Sequence, residues 1–222
     1  GILNTDTCSM QARKPSVTLI VAATLANGIG AAGRLPWRLS KEMGYFAKVT
    51  SSVPEQEGTP TPRNSVIMGR KTWDSIPSKF RPLKDRVNVV VIENNVVKIN
   101  SIEEACAFPS SDPSFQPQIY RRFLIGGAQL YQYALTRASD QYILDRILLT
   151  RILDPAFEEC DTFLPEFHKQ PGSDEVKEVW RQADHETLSQ WVGFDVPEGV
   201  QEEKGVKYVF QMWVRDENNT QD

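Results

Sequence analysis

Cysteine and histidine are scarce in this chain of 222 residues, which has Cys8, Cys106, Cys160, His168 and His185 and no others of either type. Cysteines that are odd in number and far apart make neither a disulfide framework nor a zinc site. With so few histidines, no HExxH or paired His/Cys cluster can be assembled, so no metal is expected. Positive charge is not in surplus either: 25 Lys and Arg face 29 Asp and Glu, a net charge of −4, which lacks the basic footprint of a nucleic-acid binder. No apolar run approaches the roughly 18 residues of a membrane span. Arg13 and Lys14 followed by VTLIVAATLA imitate a secretory signal. A run rich in Val, Ile and Thr that ends in glycines is also what a buried first strand looks like, and free thiols favour a reducing compartment. A cytoplasmic location is therefore expected, with a mitochondrial one as the alternative.

What is present is the composition of one globular domain, with 40% hydrophobic and 24% charged residues. Residues 1–16 and 215–222 read as polar tails around a domain at 17–214. From Val17 the pattern predicts strands near 17–24, 65–68, 87–92, 120–125 and 142–152. Helices alternate with them near 40–49, 70–75, 101–107 and 128–136. Such alternation implies an α/β fold with a mostly parallel central sheet. Strand-like runs at 176–183 and 206–214, separated by a polar loop, predict an antiparallel pair closing one sheet edge. The Pro- and Gly-rich stretch SSVPEQEGTPTPRN, 51–64, reads as a surface insertion.

Residues 63–86 hold seven basic side chains against Asp74 and Asp85, either a site for something anionic or a solvated face. GIGAAG, Gly28 to Gly33, matches GxGxxG, but Pro36 and Trp37 follow where a dinucleotide-binding helix should run, so a flexible loop over an active site is the better reading. Two junctions suit phosphate: Met68-Gly69-Arg70-Lys71-Thr72 and Ile125-Gly126-Gly127-Ala128, each a strand entering a helix through glycine. GRKT is not a P-loop, because Asn64 and Arg70 stand where GxxxxGK[ST] requires glycines. On the 40–49 helix, Ser40 is the expected N-cap. Glu42 lies in the first turn, where it either complements the helix dipole or, sharing a face with Met43 and Phe46, awaits a cationic or amidine-like ligand.

NGIGAAGRLPW (27–37), Glu42 with Tyr45-Phe46, VIMGRKTWDSIP (66–77), RPLKDR (81–86), IGGAQLY (125–131), LLTRI (148–152), DTFLPE (161–166) and QEEKGVKYVF (201–210) occur in that order. In these motifs, across about residues 17–214, the chain resembles dihydrofolate reductases of the eukaryotic, particularly fungal, type. The resemblance implies a single domain with a central sheet of eight strands flanked by helices. It also implies hydride transfer from NADPH to C6 of 7,8-dihydrofolate, giving tetrahydrofolate for one-carbon metabolism, by a monomer open to antifolate inhibitors.

Carried onto this sequence, the resemblance has Glu42 grip the pterin N3 and 2-amino group, with Thr150 holding Glu42 and Leu35 and Trp37 beside the reacting rings. Val21 and Ile125 would offer backbone carbonyls, and Ala22, Met43, Phe46 and Ile76 would line the substrate. Arg86 would pair with the glutamate α-carboxylate. On the cofactor side stand Ala23, Ile29, Gly30 and Gly33, then Gly69, Arg70, Lys71 and Thr72, and finally Gly126, Gly127, Ala128, Gln129 and Leu130. The Gly126–Gly127 peptide is expected to be cis. Ile92 and Glu93 occupy places where many members carry a Ser-Arg pair for the cofactor's 2′-phosphate, which leaves Arg70 as its expected support. The rivals are a pyrimidine reductase of the same architecture, disfavoured by Glu42 and RPLKDR, and a folate-binding protein without turnover.

Overall fold

The computed structural model describes residues 13–55, 57–58, 60–92, 99–109, 112, 114–168 and 179–216, with the side chains of 99–101 left aside. The first strand, β1 (Ser16–Thr24), is buried along nearly its whole length. It feeds two cores alternately: Val17, Leu19, Val21 and Ala23 enter one, and Ile20 and Ala22 face the other. A strand whose two faces are both covered has to be apolar throughout, which is why the sequence shows a run and no alternation.

After β2 (Gly28–Gly30) come α1 (Ser40–Ser51), β3 (Arg63–Gly69), α2 (Arg70–Ser75), β4 (Val87–Val91), α3 (Ile99–Ala107), β5 (Ile119–Gly126), α4 (Ala128–Thr136) and β6 (Ile143–Asp154). The chain closes with β7 (Thr162–Phe163), β8 (Trp180–Gln182), α5 (His185–Val192), β9 (Gln201–Glu203) and β10 (Val206–Arg215). The eight-stranded sheet runs β4-β3-β5-β1-β6-β10-β8, with β9 against β10. β10 is antiparallel to its partners β6, β8 and β9, and the other pairs are parallel. Side chains of α3 and α4 join the core on one face, and those of α1, α2 and α5 the core on the other. For α1 to α4, which join parallel strands, right-handed crossovers require this, because connections running in opposite directions along the sheet lay their helices on opposite faces.

The direction of travel reverses between β1 and β5, where the ladder also opens. β1 pairs with β5 only from Val17↔Arg122 to Leu19↔Leu124, yet follows β6 as far as Thr24↔Ile152. In open α/β sheets such a crevice at the strands' carboxyl ends is where ligands bind.

Three expectations need correction. The stretch between the two tail strands is not only loop: α5 lies in it, capped by the Asp184 carboxylate on the Thr187 N–H (2.7 Å) and ended by left-handed Gly193. Ser40 is not the N-cap of α1; Leu39 holds that place and no side chain of its own caps the helix. The 51–64 stretch is not wholly surface, since Asn64 is completely buried. Its amide donates to Thr50 O and Ser52 O (both 2.9 Å) and accepts from the Arg121 N–H (3.0 Å), tying α1, β3 and β5 together. Of the expected 176–183 strand, residues 176–178 lie outside the described residues, as do most of both tails.

Asn64→Ala takes the side-chain partner from three backbone groups, one buried and two partly buried. It should cost about 2–4 kcal/mol, read as a lower urea midpoint with an unchanged slope.

Candidate active site

Glu42 projects from the first turn of α1 and accepts a hydrogen bond from the Thr150 hydroxyl on β6 (3.0 Å). Thr150 is itself buried, and lies beside Ala22 in the β1–β6 register. The pair that the sequence suggested is therefore brought together at the open end of β1. Burial pushes the Glu42 carboxyl above its ordinary range, Thr150 pulls it down, and the charge of Glu203 pushes it up again. Tyr45 on the same helix and Tyr131 on α4 feel the Glu42 charge, and burial raises both phenols far enough to keep them neutral. The Tyr131 hydroxyl donates to Ile20 O (2.8 Å), just where β1 has parted from β5.

Several large apolar side chains are open to solvent. Leu35 is 60% exposed, Met43 55% and Phe80 59%, whereas such side chains are ordinarily inside. Phe46, Ile76, Leu83 and Ile125 are half-buried against the core beneath α1. The Trp37 ring is buried edge-on against Phe157, and its indole N–H has no acceptor among the described residues, free for a ligand oxygen or water. Val21 is buried in the stretch of β1 beyond its last pairing with β5.

Arg86 is held ready for an anion. Its Nε donates to Lys84 O (2.8 Å) and its Nη1 to the Thr50 hydroxyl (2.9 Å), while Thr50 donates to Phe46 O (2.8 Å). It makes no ion pair within the described residues, so the rest of the guanidinium fork is open to a planar carboxylate. Thr50 was not legible in the sequence as part of this arrangement.

The two glycine junctions lie side by side because β3 and β5 are neighbours, with Met68 opposite Gly126. A Cβ on Gly69 would stand 3.8 Å from the Gly127 N–H nitrogen, and one on Gly126 would stand 3.4 Å from both the Thr72 and Tyr131 hydroxyl oxygens. Gly126 has φ +128°, which side-chain-bearing residues rarely adopt, and the Gly126–Gly127 peptide is cis as expected. Neither α2 nor α4 receives a side-chain cap, whereas Glu203 covers the start of α1 and Asp184 that of α5. The uncapped N–H groups, with Thr72, suit the phosphates of a dinucleotide.

Other cofactor-side residues divide. Arg70 and Lys71 are exposed, Arg70 reaching Asp74 at 3.8 Å, and Gln129 is exposed too. Leu130 is buried in the core, which leaves only its backbone to meet a ligand. Ala23 has no exposed surface and would border a ligand only if its cover moved. Ile92 is exposed just beyond β4, and Glu93 lies outside the described residues.

The 27–37 segment is anchored, not a free loop. Gly28 and Gly30 pair with Phe163 and Thr162, and Ala31 and Arg34 exchange backbone hydrogen bonds across Ala32 and Gly33. A Cβ on Gly28 would come within 2.7 Å of Cys160, so only glycine fits there. The Arg151 guanidinium donates to Thr24 O (2.7 Å) and to the Asn27 side chain (2.8 Å), while the Asn27 amide donates to Glu166 (3.3 Å). LLTRI and DTFLPE contain Arg151 and Glu166, but only the folded chain shows what they hold.

The profile of the family described as dihydrofolate reductase matches residues 16–191. The chain belongs to the dihydrofolate reductase family. It is 45% identical to the dihydrofolate reductase of Cryptococcus neoformans var. neoformans serotype D, over 90% of this chain and 95% of that protein. It is 42% identical to that of Pneumocystis carinii, over 92% and 98% respectively. Among solved structures, Schistosoma mansoni dihydrofolate reductase superposes with a TM-score of 0.64 at 29% identity, covering 90% of this chain and 98% of that one. Family membership agrees with an α/β sheet that opens beside Glu42, and no group of three or more potential metal-ligating side chains is found among the described residues.

The upward push that burial gives the Glu42 pKa bears on stability. A carboxyl whose folded value exceeds its unfolded value near 4.3 favours folding at low pH, and loses that contribution as pH rises through the folded value. Glu42→Gln removes the penalty of ionisation, so it should melt above the wild type at pH 8. The gap should close as pH falls below about 4. Calorimetry across pH measures it.

Proposed function

We infer that this protein reduces 7,8-dihydrofolate to tetrahydrofolate with NADPH. The observation that carries the reading is Glu42, a half-buried carboxylate anchored by Thr150 at the switch point of the sheet, with the exposed Met43 next to it on the same helix. Family membership supports the same activity.

On this reading Glu42 accepts two charge-assisted hydrogen bonds from the pterin N3 and 2-amino group, which satisfy a carboxylate that burial otherwise penalises. Leu35, Met43, Phe46 and Ile76 pack on the pterin and benzoyl rings, and the carbonyls of Val21 and Ile125 meet the ring's far edge. Arg86 takes the glutamate α-carboxylate. NADPH, when bound, supplies the hydride for C6. Arg70, Lys71, Thr72 and the Gly126–Ala128 turn would hold its phosphates, and Ile29, joined by Ala23 once its cover moves, would border the nicotinamide. An acid engaged at N3 stands on the edge of the pterin opposite N5, so the proton for N5 comes through water while Glu42 polarises the ring and raises the basicity of N5. The 27–37 segment shields the rings from solvent. Antifolates would compete for Glu42, and the chain would work as a cytoplasmic monomer.

NADPH oxidation that depends on added dihydrofolate tests the reading and separates an enzyme from a binding protein. Glu42→Gln should lower turnover at pH 7 by about 10²- to 10³-fold and be partly rescued at low pH, where the pterin arrives already protonated. An unchanged rate at pH 7 would remove Glu42 from its role.

Arg86→Leu should weaken dihydrofolate binding by about ten- to a hundredfold, the scale of a lost charge-assisted hydrogen bond, while leaving the single-turnover hydride rate nearly unchanged. A pterin without the glutamate tail should not discriminate between the two proteins; an equal loss with it would make Arg86 a structural residue instead.

A further inference from the structure

α1 cannot cap itself. Leu39 stands at its N-cap position, and the Ser40 hydroxyl makes no capping bond. The helix start is instead met by a residue 162 positions away: both carboxylate oxygens of Glu203 accept from the Lys41 backbone N–H, each at 3.1 Å. Glu203 ends β9, a short strand that the two-residue turn Lys204–Gly205 folds back onto β10. The Tyr208 hydroxyl on β10 donates to Glu203 at 3.4 Å. The residue after Lys41 is Glu42. Its carboxylate is tied to Thr150 on β6, and β6 lies against β10 with Thr150 opposite Phe210. The acid is thus fixed twice from neighbouring strands: at its side chain through Thr150, and at the preceding peptide through Glu203.

We propose that Glu203 is a positioning residue for Glu42, acting through the backbone of Lys41 and through its own negative charge. This rests on the reading of Glu42 as the acid that binds the pterin. A helix start normally gains from an acid, and here two acids share one first turn, so the stabilisation of α1 is bought with repulsion on the working carboxylate. The groups that face Glu42 are Thr150 from β6, Tyr45 on α1, Tyr131 from α4, Tyr208 from β10 and Glu203 from β9. The tyrosines are neutral at working pH, the Tyr208 phenol being pushed up to about 12 by burial and by Glu203. Glu203 is therefore the charged member of this set, and it favours the protonated form of Glu42.

Glu203→Gln and Glu203→Ala separate the two modes of action. Glutamine keeps an acceptor for the Lys41 N–H and loses the charge; alanine loses both. In ligand-free protein labelled with 13C at glutamate carboxyls, the Glu42 signal is assigned by its absence from Glu42→Gln. In Glu203→Gln its titration midpoint should move to lower pH, and the pH profile of kcat/KM for dihydrofolate should move with it. Glu203→Ala should raise the dihydrofolate KM about three- to tenfold with a smaller change in kcat, the scale of a lost helix cap, and Glu203→Gln should recover most of that KM. An unchanged Glu42 midpoint in Glu203→Gln overturns the proposal, and that variant decides the matter if Glu203→Ala does not fold. The titration needs no turnover, so a wild type unable to oxidise NADPH with dihydrofolate would refute the reductase reading separately.

Discussion

Two parallel strands that begin as partners and then part leave backbone and side-chain groups facing a gap, and this separation of β1 from β5 after Leu19 and Leu124 governs the site. Every element that matters approaches the gap. β1 brings Val21 and Ala22, β6 brings Thr150, and β5 brings Ile125 and the two glycines. Because the connections leave β1 and β5 in opposite directions, α1 with Glu42 lies on one face and α4 with Tyr131 on the other. A crevice reached from both faces can take a flat ring between them.

The energetics of the gap are those of incomplete satisfaction. Among the described residues, a carboxylate with one hydroxyl partner, an indole N–H without an acceptor, a guanidinium with part of its fork engaged and helix starts without a side-chain cap at α2 and α4 would each be poor choices for stability alone. Leu35, Met43 and Phe80 add apolar surface that the described residues leave more than half exposed. These features become favourable together when a ligand of matching shape supplies donors, acceptors and apolar area at once. The framework around them is better satisfied: Asn64, Thr50 and Arg151 each bond to two or more partners, and they fix the end of α1, the fork of Arg86 and the root of the 27–37 segment.

How much of this could be read from the chain depended on whether the signal was local. Runs buried on both faces announce themselves, so β1, β3, β5 and β6 were found with ends shifted by a few residues. α5 was missed because HETLSQWV is mostly polar, although Asp184 before it, Gly193 after it and Leu188 with Val192 on one face are its signature. Ser40 looked like a cap because serine usually is one; the position went to Leu39 once Glu203 arrived from the far end of the chain. The pairing of Glu42 with Thr150 was foreseen through family resemblance. The roles of Thr50, Arg151 and Glu203 were not, because each acts on a partner many residues away.

By itself the sequence determined the class of fold, the glycine-led helix starts and the family, and singled out Glu42 as the candidate acid, because composition, periodicity and motif order survive without coordinates. Tertiary structure alone decided that Glu203 meets the helix start beside that acid, where the sheet opens, and which helix starts stay uncapped. Those are properties of long-range packing, in which a residue such as Glu203 acquires its function only from what the fold places opposite it.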